Sequence, residues 1–224
     1  SSSPQTIFFR FLELGDRLTT TTNEMERVVA GLEGKINSTW NWDASVTWNR
    51  ETSRLDHKNF PGQDKVNAAL ADTNRATALN LFANGTTIRN NPGTLAGLEG
   101  GVVRQAKTEL VVADARTTGS FFNLPAGPVG VAIGGQWRDE RFRDKRTQVQ
   151  LLNQGAPVPM ARGTRRVSAA YVETSIPLTS AAQGIPGLHA LELNAAGRIE
   201  SFSDAGVDET TVPKVGLRWQ PIPE

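Results

Sequence analysis

Side chains able to do covalent or metal chemistry are sparse in this sequence. Its two histidines, His57 in a polar loop and His189 at the start of a strand, lie far apart along the chain, and neither stands at a metal-ligand spacing. There is no cysteine, which excludes a disulfide framework and a thiolate metal site. Gly127, Gly130, Gly134 and Gly135 do not form a phosphate fingerprint leading into a helix; glycines in a strand mark bends or close approaches instead. A strand-turn-helix serine elbow is also missing. The expectation is therefore no enzyme, with no catalytic residue, no cofactor and no metal. A mixed-charge run, Arg138 to Arg146, could contact lipopolysaccharide or a ligand, but its simplest reading is a solvated extension of a strand. A formal charge of +1 gives no reason to expect a nucleic-acid partner.

The informative chemistry is in the alternation of the elements that would carry such groups. Between Trp40 and Trp48 the residues Trp40, Trp42, Ala44, Val46 and Trp48 share one face of a strand, and Asn41, Asp43, Ser45, Thr47 and Asn49 share the other. A soluble sandwich strand also alternates, yet its apolar face is usually Val, Ile and Leu. Three indoles near the ends of one face fit a membrane barrel, with lipid on that side, aromatic girdles at both interfaces and a wet lumen on the other side.

The pattern recurs. Val129, Val131, Ile133, Gly135 and Trp137 alternate with Gly130, Ala132, Gly134, Gln136 and Arg138. Leu191, Leu193, Ala195, Gly197 and Ile199 oppose Glu192, Asn194, Ala196, Arg198 and Glu200, and Val215, Leu217 and Trp219 oppose Lys214, Gly216, Arg218 and Gln220. The run from Arg27 to Ile36 behaves alike. Each spans about nine to eleven residues, the length a tilted strand needs to cross a bilayer. The second face carries Arg, Glu, Lys and Asp, which a dry core would not accept unpaired. Lumen-facing positions are expected at Asn41, Asp43, Glu192, Asn194, Arg198 and Arg218. Lipid-facing ones are expected at Trp40, Trp42, Val46, Trp48, Val131, Ile133, Leu193, Leu217 and Trp219. No apolar stretch approaches the length of a transmembrane helix.

Reading along the chain gives an all-β, antiparallel up-and-down meander over 1–224. Strands are expected at about 7–14, 24–36, 39–50, 102–116, 129–140, 165–178, 189–203 and 213–220. A polar turn through Thr19 to Asn23 separates the first two, and Asn37-Ser38 makes a tight turn. The register of 102–116 stays open, because apolar residues fall on both faces (Val111 against Leu110 and Val112). A long loop over about 51–101 holds one or two short helices within 65–83, with Val66, Leu70, Leu79, Leu81 and Phe82 as their buried side chains. Asn90-Asn91-Pro92-Gly93 punctuates that loop. Short turns near Asn37, Ser120 and Gln183 would be periplasmic. The connections near Thr21, Ala69, Asn153 and Asp208 would be extracellular.

Several strings resemble the barrel of TonB-dependent outer-membrane receptors. They are RVVAGLEGK at 27–35 followed by WNWDA at 40–44, LPAGPVG at 124–130 running into GGQWR at 134–138, and PKVGLRWQP at 213–221. FLELG at 11–15 with Arg17, and RVSAAYVE at 166–173, are similar to the same family. The resemblance spans nearly the whole chain, and the order of the pieces carries it. It implies bacterial outer-membrane lipid around an incomplete sector of a wide barrel of about 22 strands. It further implies a parent that imports a scarce nutrient, such as a siderophore or carbohydrate, and contacts the TonB complex through an N-terminal part with a plug that is expected to lie outside this fragment. A passive outer-membrane pore or adhesin barrel, and a soluble all-β binding protein, are the alternatives the residues leave open. Nothing in the sequence names the small ligand.

Overall fold

Strands form where the alternation occurs, and they continue past it. The computed structural model describes residues 9–147, 149–152, 159–204, 206 and 208–223. Among these residues seven strands follow one another: β1 (Leu18–Lys35), β2 (Trp40–Lys58), β3 (Val103–Leu124), β4 (Gly127–Arg146), β5 (Ala161–Thr179), β6 (Ala190–Phe202) and β7 (Glu209–Gln220). Two short helices, α1 (Gln63–Ala71) and α2 (Pro92–Leu98), lie between β2 and β3. Spatial order equals sequence order from β1 to β7 in one sheet, and the strands run antiparallel. β1 and β7 are its edges, so the sheet is unclosed, as the all-β meander reading expects. Among the described residues no helix is long and apolar enough to cross a membrane, which leaves strand crossing untouched.

Most strands run beyond the ends expected from the sequence, and the first expected strand is absent. Residues 9–14 form no strand. Leu12–Leu14 is a single 3-10 turn ended by Gly15 at φ 80°, and Phe11 packs into the core of the long loop. Residues 7 and 8 of that expected strand lie outside the described residues. Thr19 to Asn23, expected as a turn, belongs to β1: a β-branched run favours extended backbone, and alternation is silent where both faces are polar. For the same reason β2 continues to Lys58 and β4 to Arg146, and the mixed-charge run is a strand extension. The turn expected near Ser120 is strand too, since β3 reaches Leu124 and only Pro125 and Ala126 separate it from β4. The Asn37 turn stands: Asn37 Oδ1 accepts from the backbone N–H groups of Thr39 (2.9 Å) and Trp40 (3.0 Å).

The chain divides into two compact units. One comprises Ser1–Glu24, Thr52–Lys107 and Arg143–Arg162, and it has its own small core. Val66 of α1, Leu79 and Leu98 of α2 are buried there, packed by Phe11, Ala69, Leu81, Leu95 and Leu152. Leu70 and Phe82, expected inside, are 46% and 82% exposed, and Leu98 of α2 completes the core with Val66 and Leu79. The Asn90–Gly93 segment is a helix start as well as punctuation. Asn91 Oδ1 accepts from Gly93 N and Thr94 N, and Pro92 occupies the first helical turn, where its missing N–H costs nothing. Buried Asn90 is held by Glu13, whose two carboxylate oxygens accept its backbone N–H (3.0 Å) and its Nδ2 (2.7 Å). The Pro61↔Glu99 bridge closes the loop on itself and the Gly62↔Leu151 bridge ties it to the β4–β5 connection; Asn153 itself lies outside the described residues.

The second unit, Met25–Glu51, Thr108–Phe142 and Gly163–Glu224, is sheet. Its register is explicit over the last three strands: Tyr171↔Arg198↔Val212, Thr174↔Ala195↔Val215 and Ile176↔Leu193↔Leu217, with one irregularity near Pro177.

Two measurements on amide exchange test the first unit. Leu98→Ala removes a side chain that is 1% exposed, so the loop core should lose about 2–5 kcal/mol. Exchange at Val66 and Leu79 should then accelerate by roughly tenfold or more, with β6 and β7 unchanged. Arg104 Nε and Nη2 donate to the Asp144 carboxylate (2.9 and 2.7 Å), and these bonds hold its pKa below the usual carboxylate range against the opposing effect of burial. A depressed acid stabilises fully above its unfolded value, about pH 4, and that contribution disappears as pH falls through the lower folded value. Protection of the Thr147 amide, which bonds to Val103 O at 2.9 Å, should follow that course, and Asp144→Asn should abolish the dependence.

Candidate functional site: the polar face of the sheet

Side-chain bonds identify which residues share a face in the second unit. Arg116 Nε donates to Asp43 Oδ2 at 3.0 Å, from β3 to β2. Gln136 Nε2 donates to Asp114 Oδ1 at 2.7 Å, and Gln136 Oε1 accepts from Arg198 Nη2 at 3.1 Å, so a chain of polar groups runs from β3 through β4 to β6. Arg198 also pairs with Glu200 at 2.7 Å, and its guanidinium lies 5.8 Å from the centre of the Tyr171 ring on the intervening β5. A Cβ on Gly134 would run into that ring, so the glycine is what admits Tyr171.

With a strand period of two and the β5–β6–β7 register, these bonds place Asn41, Asp43, Glu192, Asn194, Arg198 and Arg218 on one face. Glu192 accepts from Asn194 Nδ2 at 2.9 Å on that face. The Arg116–Asp43 pair is half exposed and contributes well under about 1 kcal/mol; its effect is to keep a charged wall neutral and ordered.

The polar face is indented. One depression of about 460 Å³ is lined by Asp114, Arg116, Gln136, Tyr171 and Arg198 among others. A second, of about 350 Å³, is lined by Gly130, Ser175, Asn194 and Gly216 among others, and both share Ala132, Glu173, Ala196 and Lys214. Arg138 Nε, on the same face, is buried without a hydrogen-bond partner among the described residues. Donors and acceptors are plentiful, but among the described residues of this face no nucleophile is paired with a base. Among the described residues no cluster of His, Cys, Asp and Glu could hold a metal. His57 and His189 fall in different units; His57 Nδ1 lies 2.9 Å from the hydroxyl of Thr19.

The opposite face carries Trp40, Trp42, Val46, Trp48, Val131, Ile133, Leu193, Leu217 and Trp219. None of them is buried; Trp42, Val46, Ile133, Leu217 and Trp219 are exposed and the other four half-buried. Trp40 lies over Gly119, meets the Phe121 ring edge-on at 5.7 Å, and Trp219 Nε1 donates to Gly187 O at 2.9 Å, all toward the short turns. Trp48 and Trp137 stand near the middle of β2 and β4, where the apolar run of each strand gives way to charged residues. Trp40 to Trp48 and Val129 to Trp137 each span about 26 Å along the strand, which at a barrel tilt of about 40° is about 20 Å of height, most of a lipid-contacting band about 25 Å tall. Among the described residues of the unit no second layer covers this face, as a sandwich core would require. A seven-stranded meander with these two faces is a stretch of barrel wall, and residues 5–224 match the family described as TonB dependent receptor-like, beta-barrel. The chain belongs to that family. TonB-dependent receptor barrels are outer-membrane receptors and transporters and not enzymes. No curated protein matches the chain at a significant level.

The sequence reading missed Asp114 and Arg116 because Leu110, Val111 and Val112 left β3 without a readable register. The two charges two residues apart were the signal that could have fixed it. Tyr171 and Gly134 were not legible as a pair, since their contact depends on the β4–β5 register.

In this receptor barrel Gly134→Ala should force the Tyr171 ring away from Arg198 at a cost of about 1–3 kcal/mol. Gly197→Ala, whose new Cβ meets nothing within 4 Å, should cost nothing measurable. Urea unfolding midpoints of the two variants in micelles distinguish them.

Proposed function

We propose that this chain is part of the outer-membrane wall of a receptor that imports a scarce small nutrient, with the face bearing Trp42, Ile133 and Leu217 against lipid and the face bearing Asp43, Arg198 and Arg218 toward the lumen. The observation that carries the reading is the pairing of an uncovered apolar face, ended by indoles, with a face whose charges bond strand to strand. In water the first face would be a large exposed apolar patch, which soluble monomers rarely keep. In a bilayer it is the lipid contact. The long connections after β2 and β4 leave from one end of the meander and would be extracellular, and the turns after β1 and β3 periplasmic. Energy for import would come from the TonB complex acting through the parent protein, and ligand contacts would come from the polar depressions of the sheet. Family membership supports a receptor over a passive pore.

Ala195 lies midway along the apolar face of β6, and Asn194 is its neighbour on the polar face. In the intact receptor Ala195→Arg should weaken barrel assembly by about 2–4 kcal/mol, and Asn194→Arg should leave it near wild type. The heat-modifiable folded band in outer-membrane preparations reads this directly. Equal losses from both substitutions would remove the two-faced assignment.

A further inference from the structure

We infer that Arg141 and Arg166, held side by side by Asp139, bind the phosphate of a lipid headgroup. The inference rests on the lipid-facing assignment proposed above. Asp139 follows Trp137 by one step on the apolar face of β4, and its side chain is only 5% exposed. Its Oδ1 accepts from Arg141 Nε at 2.7 Å and its Oδ2 from Arg166 Nε at 3.2 Å, so one buried carboxylate spaces two guanidiniums. Each is attached through Nε. The two arginine side chains remain 57% and 63% exposed, which leaves their terminal amino groups available to a ligand. Arg165, the sequence neighbour on the polar face, differs: Glu140 Oε2 accepts from both its Nε (3.0 Å) and its Nη2 (2.7 Å), which fills the fork.

Two adjacent forks over one carboxylate are oversupplied with donors. A phosphate group, with several oxygens at guanidinium spacing, is the ligand that geometry fits. Position selects the source. The indole of Trp137 marks the interface, and groups one step beyond it on the lipid side stand at headgroup depth. β2 repeats the order, with Trp48 followed by Arg50, which lies 3.9 Å from Glu26 of β1. Glu109 adds negative charge near Arg141, so recognition comes from the forked donors and not from net positive charge.

The test uses the full receptor in detergent micelles and native mass spectrometry with two lipids of equal chain length. One is phosphatidic acid, with an exposed phosphate monoester, and the other an uncharged glucosyl diacylglycerol. Phosphatidic acid should bind preferentially. Arg141→Gln and Arg166→Gln should each reduce that binding about fivefold, and the double substitution about 25-fold. Arg165→Gln should change it less than about twofold. Equal binding of the two lipids, or a double variant within about twofold of wild type, overturns the site. Displacement of phosphatidic acid by millimolar inorganic phosphate alone would make it a bare anion site and overturn the lipid assignment. If the lipid-facing reading itself is wrong, the Ala195 and Asn194 substitutions lose assembly equally, whatever Arg141 and Arg166 do.

Discussion

Backbone N–H and C=O groups placed in hydrocarbon have no water to bond to, and each left unpaired costs several kcal/mol. A ladder of paired strands satisfies them all, and its period of two then fixes everything else about the wall. Every strand must show one set of side chains to lipid and the other to the interior. The meander from β1 to β7 obeys this with each strand paired to its sequence neighbour, which is the shortest route to a continuous ladder.

The two faces solve different problems. On the apolar face the requirement is the absence of charge between the indole levels, and alanine, glycine, valine and tryptophan meet it without close packing. On the polar face, charge is tolerated if neighbours balance it. Asp43 with Arg116, and Asp114 through Gln136 to Arg198, bond across strands and so read out the register as well as neutralising the wall. Gly134 opens the space in which Tyr171 lies against Arg198. Beyond the indoles the constraint relaxes, and both faces of β4 carry ion pairs: Asp139 with Arg141 and Arg166 on one, Glu140 with Arg165 on the other.

What the sequence made legible follows from the same constraint. Alternation is a strong signal only where one face is apolar and the other polar, so the middles of β2, β4, β6 and β7 were readable and their extensions, polar on both faces, were not. Thr19 to Asn23 looked like a turn because a strand wet on both faces has no contrast. FLELG at 11–15 looked like a strand because its apolar residues could serve either a sheet or a loop core, and Phe11 serves the latter. In the long loop α1 was visible, but α2 began at a segment whose Asn-Pro-Gly composition reads equally as a break and as a cap. The polar-face residues on β6 and β7 were found by parity. Those on β3 were hidden by three consecutive aliphatic residues, and the contacts that join Asp114, Gln136 and Arg198 depend on registers that no single strand encodes.

The central claim is that successive residues of one strand see lipid and water in turn, and electron paramagnetic resonance on β6 measures this most directly. The chain has no cysteine, so single cysteines introduced across 190–199 of the reconstituted receptor would each carry one nitroxide at a chosen site. Collision with oxygen, which concentrates in lipid, should be high at positions 191, 193, 195, 197 and 199. Collision with a water-soluble nickel chelate should be high at 192, 194, 196, 198 and 200 when the scan is extended by one residue. Two profiles of period two, opposite in phase, are the predicted result. Profiles that rise and fall together, or oxygen maxima at Glu192, Asn194 and Arg198, would contradict the account.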